Sequence, residues 1–494
     1  MKLIIIGAGP GGYETAVAAR KKGLDVTLIT AGPLGGTCLN EGCIPTKCFC
    51  HDAHKYAAMS CLSDCCDSGQ MASGIPEDAL ARMVSRKDEV VAQLRSGVET
   101  LLKGVEIVRG IARLVDAHTV HVWPTEAESA AAERLDPEFS EYMELTADRI
   151  IIATGSHPAW LNVPGAAQTP GVLSSSDMLR LKEVPKRLTV IGGGVIGLEF
   201  ASIFSSLGTK VTVIEYCKNI LPHFDTDLAK RLKQSLSKSG ISILTGTEVT
   251  GISASVESSS DTASLMTPVQ IVTVRSGEKT SAVVSDKVLM AVGRVPDIRV
   301  ITGCDGIEHS RRGISVDENM QTTLPGVYAI GDVNGQMMLA HAATFQGKVA
   351  LAHILDSANE SDEILHSSKS PIRLDIMPSA VFTVPEVGTV GLTEEACKEK
   401  GIAFKVLKSF YRANGKALAS EAAEGYCKIL VADPGQSGLR DGQILGCHIL
   451  GAEASDLICE VTALMNFNAT VSELRNIIHP HPALAEIIQA CVNE

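Results

Sequence analysis

The sequence has no excess of positive charge, no apolar run long enough to span a bilayer, and no Cys-x-x-Cys pair of the kind that holds zinc. Its net charge of −13 argues against nucleic acid or an anionic membrane as partner. Met1-Lys2 runs straight into Leu3-Ile4-Ile5-Ile6, which reads as a buried strand and leaves no room for a secretory signal. These absences predict a cytoplasmic protein. There its 14 cysteines are expected to be mostly reduced, small buried hydrophobes, and a bridge that does form is expected to be catalytic. Cys48, Cys50, His51, His54, Cys61, Cys65 and Cys66 lie close in sequence, yet burial in a helix accounts for Cys48 and Cys50 better than a metal does, and no metal site is expected. At 494 residues the chain is too long for one core, and 45% hydrophobic with 44 glycines describes an α/β protein of three or four domains.

What is present begins with a βαβ unit. Residues 3–6 form a strand, Gly7-Ala8-Gly9-Pro10-Gly11-Gly12 follows, residues 13–22 have a helical pattern closed by Gly23, and residues 26–29 read as the next strand. Gly7 permits the tight turn, Gly9 the approach of a pyrophosphate, and Gly12 close helix–strand packing, with the helix N-terminus facing the phosphates. The device recurs: a strand at 188–191, then Gly192-Gly193-Gly194-Val195-Ile196-Gly197, a helix at 198–207, and a strand at 211–214 closed by Glu215. Glu215 stands where an acid binds the ribose diol of a nicotinamide cofactor, and no arginine follows it to pair with a 2′-phosphate, which favours NAD over NADP. At the same offset after the first fingerprint stands Thr30, which is not acidic. Two such units suggest two dinucleotides, flavin and nicotinamide.

Between them the pattern predicts a helical region at 75–103, short strands within 105–122, a loop or short helix pair at 124–145, and a strand at 149–154 ending in Gly155-Ser156. A Ser-rich stretch at 253–264 reads as a solvated hairpin loop. Strands at 287–292 and 327–330 run into Gly293-Arg294 and Gly331-Asp332, which suits strand ends over a cofactor, although an isolated Gly-Asp is also an ordinary turn. A polar linker is expected at 357–370. Beyond it, strands at 426–431 and 444–450 and helices at 454–465 and 483–490 read as an α+β domain.

Two short stretches carry chemistry. Cys38 and Cys43 are five positions apart with Gly42 between and Pro45 after. Five residues of straight helix rise about 7.5 Å, whereas a disulfide wants Cα atoms about 4.4–6.8 Å apart. If the two are bridged, the backbone departs from regular helix there, and a short, accessible bridge is of the labile, redox-active sort. Near the end, Pro482 suits the first turn of a helix, and His481 outside that helix can fold back to the Glu486 carboxylate, which would raise the basicity of the ring. A histidine beside proline is also a common structural cap.

With these pieces in order, the chain resembles the pyridine nucleotide–disulfide oxidoreductases over nearly its whole length. The motifs that carry this are Gly35-Gly36-Thr37-Cys38-Leu39-Asn40-Glu41-Gly42-Cys43-Ile44-Pro45-Thr46-Lys47, Gly192-x-Gly194-x-x-Gly197-x-Glu199, the Tyr328-Ala-Ile-Gly-Asp332 strand end and His481-Pro-x-x-x-Glu486. The Cys-Ile-Pro-Thr-Lys ending is closer to the members that act on lipoamide than to glutathione or mercuric reductases. The alternative is another FAD-dependent NAD(P)H disulfide reductase, glutathione-reductase-like; no terminal vicinal cysteine pair appears, since Cys491 stands alone.

The resemblance implies an enzyme that oxidises protein-bound dihydrolipoamide and reduces NAD⁺ through a Cys38–Cys43 disulfide and FAD. Cys38 would exchange with substrate, Cys43 would lie beside the flavin, and His481 with Glu486 would be the acid–base pair acting on the disulfide of the other subunit of a homodimer. FAD would be held by Gly7, Gly9, Gly12, Thr30, Gly36, Thr37, Lys47, Ala112, Gly155, Glu199, Asp332 and Ala340, and NAD by Gly192, Gly194, Gly197, Glu215 and Gly293. Lys47 would pair with Glu199. The implied fold is two Rossmann-like domains plus a C-terminal α+β dimerisation domain: FAD-binding at 1–156, NAD-binding at 157–285, a central segment completing the FAD site at 286–365, and the interface domain at 366–494. The lipoyl arm would come from a lipoylated protein of a 2-oxo acid dehydrogenase or glycine-cleavage complex. The chain departs from the family pattern at Thr30, where glutamate is usual, at Ala483 and Ala485, and at Cys48 and Cys50.

Overall fold

The computed structural model describes residues 1–64, 75–124, 142–258, 266–358 and 372–493. The chain divides into two compact units, one comprising Met1–Pro45, Ser85–Pro158 and Arg294–Leu374, the other Thr46–Val84, Ala159–Gly293 and Asp375–Glu494.

In the first unit a five-stranded parallel sheet runs in the order Val327–Ala329, Arg149–Ile152, Lys2–Ile6, Asp25–Thr30, Glu106–Arg109. Both faces of its middle strand are covered. Leu3 and Ile5 join one core with Ala16 and Ala350, and Ile4 and Ile6 join another with Leu114 and Ile152. Each fully buried aliphatic side chain is worth roughly 1.5–3 kcal/mol, which is why the strand is an unbroken apolar run. An antiparallel sheet of Ile111–Leu114, Thr119–Trp123 and Met143–Thr146 stands in the same unit. Met143–Thr146 is therefore strand, not the loop or helix pair expected at 124–145, because its backbone completes the hydrogen bonding of Thr119–Trp123; residues 125–141 lie outside the described residues.

The second unit repeats the topology. Its parallel sheet runs Ser242–Thr245, Lys210–Glu215, Arg187–Ile191, Lys287–Met290, Val172–Leu173. Lys287–Met290 pairs with the fingerprint strand, so a boundary at 285 severs that strand from the sheet it completes. An antiparallel sheet of Glu248–Ser258, Met266–Ser276 and Lys279–Ser285 packs Val249, Ile252, Val272 and Val274 against Ile191, Ile214 and Val288. The expected loop at 253–264 is thus strand as far as Ser258, its serines alternating with apolar residues along one edge; 259–265 lie outside the described residues. Of the expected linker at 357–370, residues 357 and 358 end helix Ala340–Ala358 of the first unit, and 359–370 lie outside the described residues.

The C-terminal part of the second unit is an antiparallel sheet in the order Ser379–Val381, Val387–Gly391, Ile444–Leu450, Tyr426–Ala432, Phe404–Phe410, backed by helices Ala454–Asn466 and Glu486–Val492. Cys427, Ile429, Cys447 and Ile449 pack against Ile458, Val461, Ile488 and Cys491. The last helix begins at Glu486, and Pro482 lies before it rather than in its first turn, because Glu486 turns its own carboxylate back to the Ala483 N–H, 2.8 Å away. Lys428 is fully buried, with its ammonium on Asp225 and 3.0 Å from Glu394. No helix among the described residues is long and apolar enough to cross a membrane.

Candidate active site

The helix Gly36–Glu41 stops at Gly42 and a new helix, Cys43–Asp64, starts at once. The break falls between the two cysteines, where a bridge between them would need it. A Cβ on Gly42 would sit 2.9 Å from Thr37 O and 3.2 Å from the Cα of Cys38, so only glycine lets the chain fold back this closely. Asn40 locks the turn by donating to Leu34 O (2.9 Å) and Gly36 O (2.8 Å), and Arg95 Nη2 holds the Asn40 oxygen at 2.6 Å. Cys38 is half-buried and Cys43 exposed.

The cysteine segment is built onto the first fingerprint. Gly35 N–H donates to Ala8 O at 2.9 Å, and a Cβ on Gly36 would lie 2.6 Å from the Cα of Gly9. In the fingerprint itself, a Cβ on Gly7 would meet Ala153 O at 2.1 Å and one on Gly12 would meet Gly7 O at 1.8 Å, whereas one on Gly9 would meet nothing within 4 Å. The second fingerprint matches: Gly192 against Ala291 O at 2.2 Å, Gly197 against Gly192 O at 2.1 Å, and open space at Gly194. In each unit the first and third glycines serve packing, and the second leaves a cleared face at the start of a helix that has no side-chain cap. That face suits a diphosphate, so the residues present fit dinucleotides in both places.

The Glu215 carboxylate is held in place by backbone donors. Its Oε2 accepts from Gly193 N–H and its Oε1 from Cys217 N–H, both at 2.6 Å, which fixes the carboxylate at the fingerprint. Thr30, at the matching place, instead donates to Gly32 O at 2.9 Å. Gly293 ends the second unit's strand region with open space at its Cα, as Gly155 does in the first unit; Ala112 is half-buried in its strand, and Ala340 opens its helix.

Asp332 belongs to a network that the motifs did not announce. Its Oδ2 accepts from Ser156 Oγ at 2.5 Å, Ser156 Oγ accepts from Arg294 Nε at 2.6 Å, and Arg294 Nη2 also donates to Ser156 O at 2.6 Å. Burial pushes the Arg294 guanidinium below its ordinary range, while Asp332, then Cys43 and Glu41, act against that shift. Arg294 is thus a half-buried cation within electrostatic reach of Cys43. The sequence signal for it was Arg294 directly after the glycine that ends a Rossmann strand.

In the second unit, Lys47 Nζ is 3.0 Å from both oxygens of Glu199. The expected pair is therefore formed. Cys48 and Cys50 are buried in their helix, and burial, then the nearby Glu199, pushes the Cys50 thiol up to about 12. Cys65 and Cys66 lie outside the described residues. His481 Nδ1 is 2.8 Å from Glu486 Oε1, and the Ala483 N–H followed by His481 holds the Glu486 carboxyl below its ordinary range. The His481 side chain is 81% exposed, so the ring is fixed from behind and open in front.

Residues 1–347 match the family described as pyridine nucleotide-disulphide oxidoreductase, and residues 377–491 match its dimerisation domain. The chain is 36% identical to a dihydrolipoyl dehydrogenase of Chlamydia muridarum over 98% of its own length and 94% of the relative's. It is 35% identical to that of Geobacillus stearothermophilus, with the same shares covered. Among solved structures it is similar to the HOCl-induced flavoprotein disulfide reductase RclA from Escherichia coli, with 28% identity, a TM-score of 0.79, and 100% and 99% of the two chains covered. The two fingerprints, the broken helix at Gly42 and these likenesses agree: the chain belongs to the pyridine nucleotide-disulphide oxidoreductase family.

Proposed function

We propose that this protein is a dihydrolipoyl dehydrogenase that oxidises dihydrolipoamide and reduces NAD⁺, with FAD as its resident cofactor. The observation that carries the reading is a helix interrupted at Gly42 between Cys38 and Cys43, on a chain whose relatives bear that name across nearly their full length. Gly7, Gly9, Gly12, Thr30, Gly36, Thr37, Ala112, Gly155, Asp332 and Ala340 would hold FAD, with Lys47 and Glu199 near its reactive part. Gly192, Gly194, Gly197, Glu215 and Gly293 would hold NAD. FAD, when bound, supplies the two-electron relay between thiols and nicotinamide. The domain at 377–491 supports a homodimer, with His481 and Glu486 serving the disulfide across the interface. The lipoyl group would be carried by a lipoylated protein of a 2-oxo acid dehydrogenase or glycine-cleavage complex, in the cytoplasm.

The chain's own steps follow from thiol chemistry. His481, oriented by Glu486, takes a proton from one substrate thiol, because the thiolate and not the thiol attacks. The thiolate bonds to Cys38 Sγ, the Cys38–Cys43 bond breaks, and Cys43 leaves as a thiolate near the Arg294 cation. The second substrate thiol closes on the first substrate sulfur and its proton passes to the departing Cys38, releasing the cyclic disulfide and the Cys38 thiol. Two electrons have then passed from the dithiol to the protein.

The experiment compares NAD⁺ reduction by dihydrolipoamide with NADH and NADPH oxidation by glutathione disulfide, using purified holoenzyme. Turnover with dihydrolipoamide and none with glutathione disulfide is expected; no turnover in either lipoamide direction overturns the reading.

A further inference from the structure

A second histidine–carboxylate pair stands beside the first. His479 Nε2 lies 2.9 Å from Oε1 and 3.1 Å from Oε2 of Glu460, in the middle of helix Ala454–Asn466. Facing a carboxylate, Nε2 is the nitrogen that donates. The His479 side chain is 4% exposed, the opposite of His481. Its Nδ1 is buried and has no hydrogen-bond partner among the described residues. Leaving that nitrogen unpaired is unfavourable, so the polar contribution of the ring comes through its other nitrogen.

What that nitrogen does is anchor the segment that bears His481. Residues 476–485 connect two helices and are neither helix nor strand. Gln489 Nε2 donates to Ile477 O at 3.1 Å at one end, and Asn414 Nδ2 donates to Ala483 O at 3.0 Å at the other. Between these two ties, His479 fastens the chain to helix Ala454–Asn466, two residues before the exposed ring. The His479 ring also lies close enough to Glu486 to add to the effects of Ala483 N–H and His481 on that carboxyl.

We infer that His479 and Glu460 are positioning residues whose hydrogen bond sets where the His481 ring stands for proton transfer. This rests on the reading of His481 as the acid–base residue. Neither His479 nor Glu460 touches the reacting sulfurs in this account; they act through His481.

The test uses the holoenzyme with dihydrolipoamide and NAD⁺, and NADH with ferricyanide as a second assay that needs no acid–base histidine. His479→Leu is expected to lower kcat with dihydrolipoamide on the order of 10- to 100-fold, as small displacements of a reacting group do. KM and the ferricyanide rate stay near the parent's. His479→Gln, whose amide nitrogen can still donate to Glu460, recovers most of the loss. Parental kcat in His479→Leu, or a His479→Gln variant as impaired as His479→Leu, overturns the inference. Should His479→Leu fold poorly, Glu460→Gln and Glu460→Ala give the same reading: the first keeps an acceptor and stays near the parent, the second falls, and equal values overturn the inference. His481→Gln is the control for the underlying reading. If it retains full turnover, that reading fails; if it is inactive while His479→Leu is not, only the positioning role fails.

Discussion

Lys47 Nζ lies 3.0 Å from both carboxylate oxygens of Glu199, whose side chain is 4% exposed while that of Lys47 is 32% exposed. Phe382 N–H gives the carboxylate one further donor at 3.1 Å. Removing the ammonium strands a nearly buried charge, which costs about 3–5 kcal/mol for a fully buried pair. Because solvent already screens Lys47, about 2 kcal/mol is expected for Lys47→Met. The check is the guanidinium midpoint of unfolding at pH 7, which should fall, and should recover in Lys47→Met/Glu199→Leu. An unmoved midpoint in the single variant contradicts this.

Lys428 offers a harsher version. It is 0% exposed and its ammonium rests between Asp225 and Glu394. For Asp225, burial pushes the carboxyl up, but His448, Lys428 and the Leu228 N–H outweigh it and hold the group below the usual range. Lys428→Met leaves two carboxylates without that cation, and a loss of about 3–5 kcal/mol is expected in the same denaturation measurement.

Glu215 should decide nicotinamide binding. Its carboxylate is fixed by Gly193 and Cys217 N–H groups before any ligand arrives. Glu215→Ala is expected to weaken NADH on the order of 10-fold, measured by quenching of NADH fluorescence, about the worth of one charge-assisted hydrogen bond. An unchanged affinity would place the ribose elsewhere.

Glu386 gives a pH signature of known sign. Burial first, then Glu453 and Asp456, push its carboxyl up against the pull of two hydrogen bonds from Ser455. A carboxyl raised in the folded state contributes stability below its unfolded value of about 4.3 and loses it as pH rises through the raised folded value. Glu386→Gln keeps an acceptor for Ser455 and carries no charge. Its unfolding midpoint should therefore exceed the parent's at pH 7 and lose that advantage near pH 4; an advantage that grows on acidification contradicts the sign.

Much of this was legible because it is local. Residues 3–6 and 188–191 announce parallel strands by putting aliphatic residues on both faces, and the first and third fingerprint glycines after them read as tight turns because each meets backbone within a few residues or one strand away. The break at Gly42 is the one that a Cys38–Cys43 bridge would need, and the fold-back of His481 followed from proline before the helix. Contacts between distant residues were hidden. Ser156 meets Arg294 and Asp332 across 138 and 176 positions, and nothing in the spacing ties them together. Helix ends were misplaced for a different reason: Glu486 spends its side chain on the Ala483 N–H, so the regular helix starts at Glu486 rather than near Pro482. The strand Met143–Thr146 was obscured by the Ala- and Glu-rich residues before it.

The central claim is that the two cysteines are not equivalent: Cys38 meets substrate and Cys43 faces the cofactor. The direct test is to reduce the holoenzyme with NADH, treat it with substoichiometric iodoacetamide, and locate the label by peptide mass spectrometry. The account predicts label on Cys38, with Cys43 largely unmodified and dihydrolipoamide turnover lost in proportion. Label on Cys43 first, or equally on both, would contradict it.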